Sequence, residues 1–218
     1  IIRKVEPGIT VEKILDGYVA ETAKTNNMSM AATGQYFSNE KQGFMPKIIE
    51  EMYDERVVIK KKMLASKQEL EQCDKTNKAE VYRIERDIAH FENQQTAIKI
   101  LLNSLYGALG NKYFRYFTME IAEGITITGQ TIIKWGEKHI NSYLNKALKT
   151  NNDYVIAIDT DSIYANFSGL VNAIMPDADT GKKVDFLSKA CKRIETDVFD
   201  IAFKELGENL NVHKLRIY

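Results

Sequence analysis

Between Val81 and Leu105 the chain carries an unbroken alternation. Val81, Ile84, Ile88, Phe91, Gln95, Ile98, Leu102 and Leu105 follow one another by three and four residues in turn. That is a period of 3.5, the seam of a helix that packs along its length against another helix. A partner precedes it. Pro46 opens a charged stretch to about Gln72, with Ile49, Met52, Tyr53, Ile59, Met63 and Leu70 as its apolar or stem-rich members. Proline suits a first helical turn. The polar tract from Cys73 to Lys78 breaks the pattern between the two arms. The expectation is an antiparallel helical hairpin over 46–107, each arm roughly 40 Å long at 1.5 Å per residue. An arm of that length is expected to project.

The flanking text is mixed. Val11, Ile14, Leu15, Tyr18 and Val19 step at helical spacing behind Thr10 or Gly8 as a cap. Met28 to Phe44, punctuated by Gly34 and Gly43, reads as short strands or a hairpin. Tyr113 to Phe117 reads as extended, and Thr118 as the cap of a third long helix to about Lys149. Gly129 and Gly136 share a face of that helix, where glycine is tolerated for close packing. Tyr154–Ile158 and Ser162–Phe167 read as strands, Met175–Gly181 as a loop, and Val184–Leu206 as an amphipathic helix ended by Gly207. Leu215–Tyr218 reads as the start of a strand. The fold class expected is α+β, with helices covering a small antiparallel sheet. The divisions expected are 1–45, 46–107 and 108–218.

Composition excludes several classes. Hydrophobic residues make up 44% of the 218, which provides a core and excludes a disordered tail. Lys plus Arg and Asp plus Glu are 30 each, so the chain is not a globally basic coat for nucleic acid, although local patches are open. No apolar run reaches the ~18 residues of a membrane span. Cys73 and Cys191 imply a reducing compartment rather than a disulfide framework. Three scattered histidines leave no zinc spacing. The opening Ile1-Ile2-Arg3, without Met or a targeting tract, reads as a piece of a longer product.

Three features carry chemistry. Asp159-Thr160-Asp161-Ser162 lies between two strands. On a strand, positions i and i+2 share a side, and two carboxylates there repel unless a divalent cation neutralises them. Magnesium takes one or two carboxylates plus phosphate oxygens. The same residues also suit a plain turn. Lys99, Asn103 and Tyr106 fall at i, i+4 and i+7 beside the apolar seam, placing a cation, an amide and a phenol in a row. Such a row suits a phosphate, a sugar and a base, or an ordinary solvated flank. Arg56 and Lys60, thickened by Lys61, Lys62 and Lys67, form a basic patch on the other arm. The acidic residues Glu50, Glu51, Asp54 and Glu55 precede it, so solvated helix charge is its plainer reading.

With Lys99 upstream, Asn103-Ser104-Leu105-Tyr106-Gly107 resembles the fingers motif of family B DNA polymerases. Asp159-Thr160-Asp161-Ser162-Ile163-Tyr164 resembles their palm motif. The wider text from Asn103 to Asn111, then Phe114-Arg115-Tyr116, looks most like the replicative polymerases of T-even-type bacteriophages. The resemblance runs from Ile1 to about Leu206. It implies fingers plus a partial palm, and addition of deoxynucleotides to a primer 3′ end by two-metal phosphoryl transfer. Arg56, Lys60 and Lys99 would contact the triphosphate, with Asn103 near it. Tyr106 and Gly107 would pack against the nascent base pair. Asp161, with Asp159 beside it, would bind the magnesium ions, two in a complete enzyme. Lys99 would also protonate the leaving pyrophosphate. The implied partners are primer-template DNA, deoxynucleoside triphosphates and the N-terminal and thumb parts of the same polymerase. The implied setting is a phage protein acting in the host cytoplasm.

Two departures stand out. Ile158 takes a place where the family often has Gly, and a branched side chain there is expected to crowd the hairpin and shift Asp159. The family's other metal-binding Asp lies on a strand ending in a motif of the Ser-Leu-Tyr-Pro-Ser type, and Ile1-Ile2-Arg3 resembles the text just after it. The chain alone is therefore expected to be inactive and to expose a sheet edge that invites self-association. The rival readings are a metal-dependent nuclease or phosphohydrolase using Asp159 and Asp161, and a non-enzymatic helical-hairpin adaptor.

Overall fold

The computed structural model describes residues 2–212, so the strand expected at Leu215–Tyr218 lies outside the described residues. The elements are β1 (Ile2–Val5), α1 (Val11–Leu15), α2 (Glu21–Thr25), β2 (Met28–Met30), β3 (Gln35–Ser38), α3 (Phe44–Gln72), α4 (Lys78–Leu109), α5 (Met119–Leu148), β4 (Val155–Asp159), β5 (Ser162–Ala165), α6 (Ser168–Ile174), α7 (Thr180–Ile194) and α8 (Asp200–Leu210). A π-helical turn, Glu195–Phe199, joins α7 to α8. The class is α+β. The chain divides into two compact units, Lys41–Ala122 and a second made of Ile1–Glu40 with Glu123–Tyr218.

The first unit is the antiparallel α3–α4 hairpin. All eight seam residues of α4 are shielded from solvent, Ile84 completely, while most residues between them are exposed. The facing arm has a seam of its own. Met52, Arg56, Ile59, Met63, Ser66, Leu70 and Cys73 also step by four and three, and all are shielded. The register is marked near the tip, where Arg83 Nη2 donates to Glu69 Oε1 across the arms at 2.6 Å. The loop is closed by side chains. Asp74 Oδ1 accepts from the Thr76 amide at 2.9 Å, and Asn77 Oδ1 caps α4 through the Glu80 amide at 3.3 Å. Pro46 sits in the first turn of α3, two residues inside a start at Phe44 capped by Gly43.

Two expectations in this unit need correction. The hairpin does not end at Gly107, because α4 runs on to Leu109. Tyr113–Phe117 is not extended. It is a series of tight turns, in which Asn111, Phe114 and Phe117 donate in turn to the carbonyls of Ala108, Asn111 and Phe114. The aromatic rings pack on one another instead of a sheet, with Phe44 and Phe114 both edge-on to Tyr116.

In the second unit, β3 is the centre of a three-stranded antiparallel sheet ordered β1-β3-β2. The β2–β3 hairpin fulfils the reading of Met28 onward, in the register Met30↔Tyr36. Gly34 closes it at φ +82°, and its carbonyl accepts from the Glu6 amide at 2.8 Å. A Cβ on Gly34 would lie inside contact distance of the Glu6 carbonyl oxygen, so glycine is required there. The helix expected over Val11–Val19 stops at Leu15, since Gly17 adopts φ +92°. Thr10 caps it by accepting from the Lys13 amide at 3.2 Å.

Helix α5 serves two buried clusters. Trp135 joins Ile14, Met30, Tyr36, Leu206 and Leu210 in one, and donates its indole N–H to the Ala202 carbonyl at 2.8 Å. Ile140 and Leu144 join Tyr154, Ile194 and Val198 in the other. The single helix expected at Val184–Leu206 is α7, the π-turn and α8 in succession. Gly207 does not end it. Gly207 is buried inside α8, and Asn211 at φ +54° provides the left-handed end. Asn211 Nδ2 then donates to the Met28 carbonyl at 2.8 Å, tying α8 to β2.

Candidate active site

The residues singled out in the sequence fall into two groups, one in each unit. On the hairpin, Lys60 is one residue past Ile59 and four past Arg56. Lys99 stands in the same relation to Ile98 and Gln95. Equal offsets from the seam put both lysines on the same flank, because two antiparallel right-handed helices turn that 100° step to the same side. Both are exposed. Arg56 is different. It occupies a seam position, is half-buried, and its Nε is buried without a hydrogen-bond partner. A buried cationic donor left unsatisfied costs more free energy than one that is paired. In the register set by Arg83 and Glu69, Arg56 lies level with Gln95 and Thr96, about one turn from Lys99.

Asn103 and Tyr106 continue the Lys99 flank toward the base of the hairpin, both exposed. Gly107, also exposed, has nothing within 4 Å of where a Cβ would stand, so a surface could approach its backbone closely. Lys67 shares the flank two turns toward the tip, and Glu92, one heptad before Lys99, lies on it at the level of Lys60.

In the other unit, β4 and β5 form a two-stranded antiparallel sheet. Asp159 ends β4 and pairs with Ser162, so Thr160 and Asp161 are the two turn residues, Thr160 at φ +52°. The same-side argument for i and i+2 on a strand therefore does not describe Asp161, which belongs to the turn. Both carboxylates are exposed. Asp159 Oδ1 accepts from the Thr160 hydroxyl at 3.2 Å, and Asp161 Oδ1 from the Ser162 hydroxyl at 3.4 Å. Strand β4 is less buried than its apolar text implies, since Ile156 is 72% exposed. Ile158 causes no break in the ladder beside Asp159. The ladder keeps its register through Ala157, Ile158 and Asp159, and the irregularity lies before Ala157.

As a magnesium site the turn fits in part. Two exposed carboxylates in one tight turn are the right donors for a hard cation, which takes one or two of them and completes its shell with water and phosphate oxygens. Among the described residues no group of three or more His, Cys, Asp or Glu side chains is placed to hold a metal ion.

Sequence reasoning missed the seam position of Arg56, which the three-four alternation of α3 carries once its polar members are counted. It also missed what lies behind the turn. Gly136 of α5 faces Ile163, the cross-strand partner of Ile158.

The comparisons agree with one another. The sequence model of DNA polymerase family B matches residues 9–185. The DNA-directed DNA polymerase of Enterobacteria phage T4 is 31% identical over an alignment of 234 residues, covering 89% of this chain and 26% of that polymerase. The DNA-directed DNA polymerase of Escherichia phage RB69 is 36% identical over 134 residues, covering 60% of this chain and 15% of that polymerase. A DNA polymerase of Pyrococcus glycovorans is 35% identical over 134 residues, 61% of this chain and 14% of that enzyme. The chain thus spans about a quarter or less of the length of these relatives. With a family match over most of its residues, the chain belongs to DNA polymerase family B.

Proposed function

We propose that α3 and α4 are the nucleotide-gripping fingers, and residues 1–45 and 108–218 part of the palm, of a phage-type DNA-directed DNA polymerase. In that reading the substrates are primer-template DNA and deoxynucleoside triphosphates, and the setting is the host cytoplasm. The observation that carries it is Arg56, a cation on a buried seam whose Nε has no partner, with Lys60 and Lys99 on one flank beside it. A seam arginine with an unsatisfied buried Nε is costly in a helical adaptor, and a triphosphate would add partners to its guanidinium.

Phosphoryl transfer needs positioning and charge stabilisation more than covalent chemistry. Arg56 and Lys60 would hold the outer phosphates, and Lys99 would neutralise charge that develops as pyrophosphate leaves. Its ammonium also holds a proton that can pass from Nζ to the leaving oxygen as the P–O bond breaks. Tyr106 and the bare backbone of Gly107 would bear on the nascent base pair. Asp159 and Asp161 would hold magnesium, which when bound supplies Lewis acidity at the phosphoryl oxygens. The open edges of the β4–β5 sheet would pair with a further strand of the polymerase, or with a second copy of the chain.

Titration of a deoxynucleoside triphosphate with magnesium tests the reading. Lys99→Ala is expected to weaken binding about tenfold, on the scale of one charge-assisted contact. Lys67→Ala, on the same flank but two turns beyond Lys60, is expected to change it far less. Equal effects would mean diffuse attraction to a charged helix, and no binding at all would favour the adaptor.

A further inference from the structure

Gly136 of α5 faces the β4–β5 hairpin through Ile163. A Cβ placed on Gly136 would stand 3.1 Å from Ile163 Cδ1, 3.4 Å from Phe199 Cε1 and 3.4 Å from Phe203 Cζ. The two phenylalanines stack with centroids 5.6 Å apart and planes 12° from parallel, so they form a wall rather than a yielding edge. Ile163 Cδ1 and the two phenylalanine rings all border the bare helix backbone at Gly136. Ile163 is paired across the strands with Ile158, and paired residues lie on the same face of a sheet. One step further along the same ladder is the Asp159↔Ser162 pair that closes the turn. Gly129, seven residues earlier on α5, has nothing within 4 Å of its would-be Cβ. The two glycines thus differ completely in what they admit.

We propose that Gly136 is a positioning residue for the carboxylate turn. Its missing side chain sets how deeply the Ile158–Ile163 pair seats against α5, and so where Asp159 and Asp161 stand. The metal part of this inference rests on the proposed polymerase site, and the seating part does not. A methyl group at 136 pushes Ile163 outward by a few tenths of an ångström, and the short ladder carries the shift into a turn of two residues. The geometry names its own remedy. Ile163→Val removes Cδ1, the atom that the new methyl would meet first.

The test uses the whole 218-residue chain, with amide resonances of Thr160, Asp161 and Ser162 read by NMR and Mn²⁺ as a paramagnetic probe. Gly136→Ala is expected to shift those resonances and to weaken Mn²⁺ binding about threefold, since small misplacements of a binding group are costly. Gly129→Ala is expected to leave both unchanged. Adding Ile163→Val to Gly136→Ala is expected to return both toward the original values. The proposal is overturned if Gly136→Ala behaves as Gly129→Ala does, or if Ile163→Val gives no rescue. If Gly136→Ala alone does not fold, recovery of the fold and the turn resonances in the double variant supports the proposal, and failure to recover overturns it. Absence of Mn²⁺ broadening at the turn in the unaltered chain would end the metal reading, while the resonance shifts would still decide the seating.

Discussion

Two phenols share one carboxylate in the second unit. Tyr18 donates to Glu6 Oε1 at 2.7 Å, and Tyr36 donates to Glu6 Oε2. Burial first, then the hydrogen bond to Glu6 and its charge, raises both phenol pKa values above the usual 10.0. A phenol whose pKa rises on folding contributes stability that is fully present below the unfolded value and fades as pH climbs toward the folded one. Urea unfolding midpoints are therefore expected to fall above about pH 10, and Tyr18→Phe to make that fall shallower. At neutral pH Tyr18→Phe is expected to cost about 1.5 kcal/mol, the low end for a bond to a charged acceptor, because Tyr18 is half-buried. On the hairpin flank, Glu92→Gln is expected to strengthen triphosphate binding, by removing a like charge level with Lys60, as read by the same titration. The text of Asp159-Thr160-Asp161-Ser162 made the carboxylates and a turn legible, but not the geometry of that turn. Thr160 at φ +52° is an unusual conformation for a β-branched residue, and residue identity gives no hint of it.

The hairpin is where sequence and structure agree most fully, because a period of 3.5 admits few alternatives. Ile84 is completely buried at that seam and Tyr82 is 71% exposed. Ile84→Ala is expected to cost about 2–5 kcal/mol, and Tyr82→Ala to stay within about 0.5 kcal/mol, both read by urea unfolding of the chain. The seam of α3 was only half legible, since Arg56 and Ser66 interrupt its apolar pattern. Gly107 looked like a helix end but lies two residues inside the end of α4. Strand β1 was unread because its partner, β3, is some thirty residues away and its text has no period of two. The π-turn at Glu195–Phe199 left no mark in the amphipathic pattern that runs through it. Phe199, its last residue, stacks on Phe203 one α-helical turn later, and both rings face Gly136.

For the molecule as a whole, the polymerase reading sets a limit on activity. Two metal ions ~4 Å apart need more anionic ligands than one pair of turn carboxylates provides. The 218-residue chain alone is expected to give no template-directed primer extension. Robust extension that disappears in Asp161→Asn would show that the chain holds both ions by itself. The claim beneath all of this is that the seam arginine and its flanking lysines grip a triphosphate. The Nε–H resonance of Arg56 reports on it directly, because that donor is buried without a partner in the chain alone. Addition of a deoxynucleoside triphosphate with magnesium is expected to shift the Arg56 Nε–H resonance most, with the Lys99 and Asn103 amides next. An Arg56 resonance that stays in place while those of Lys61, Lys62 and Lys67 move would contradict it.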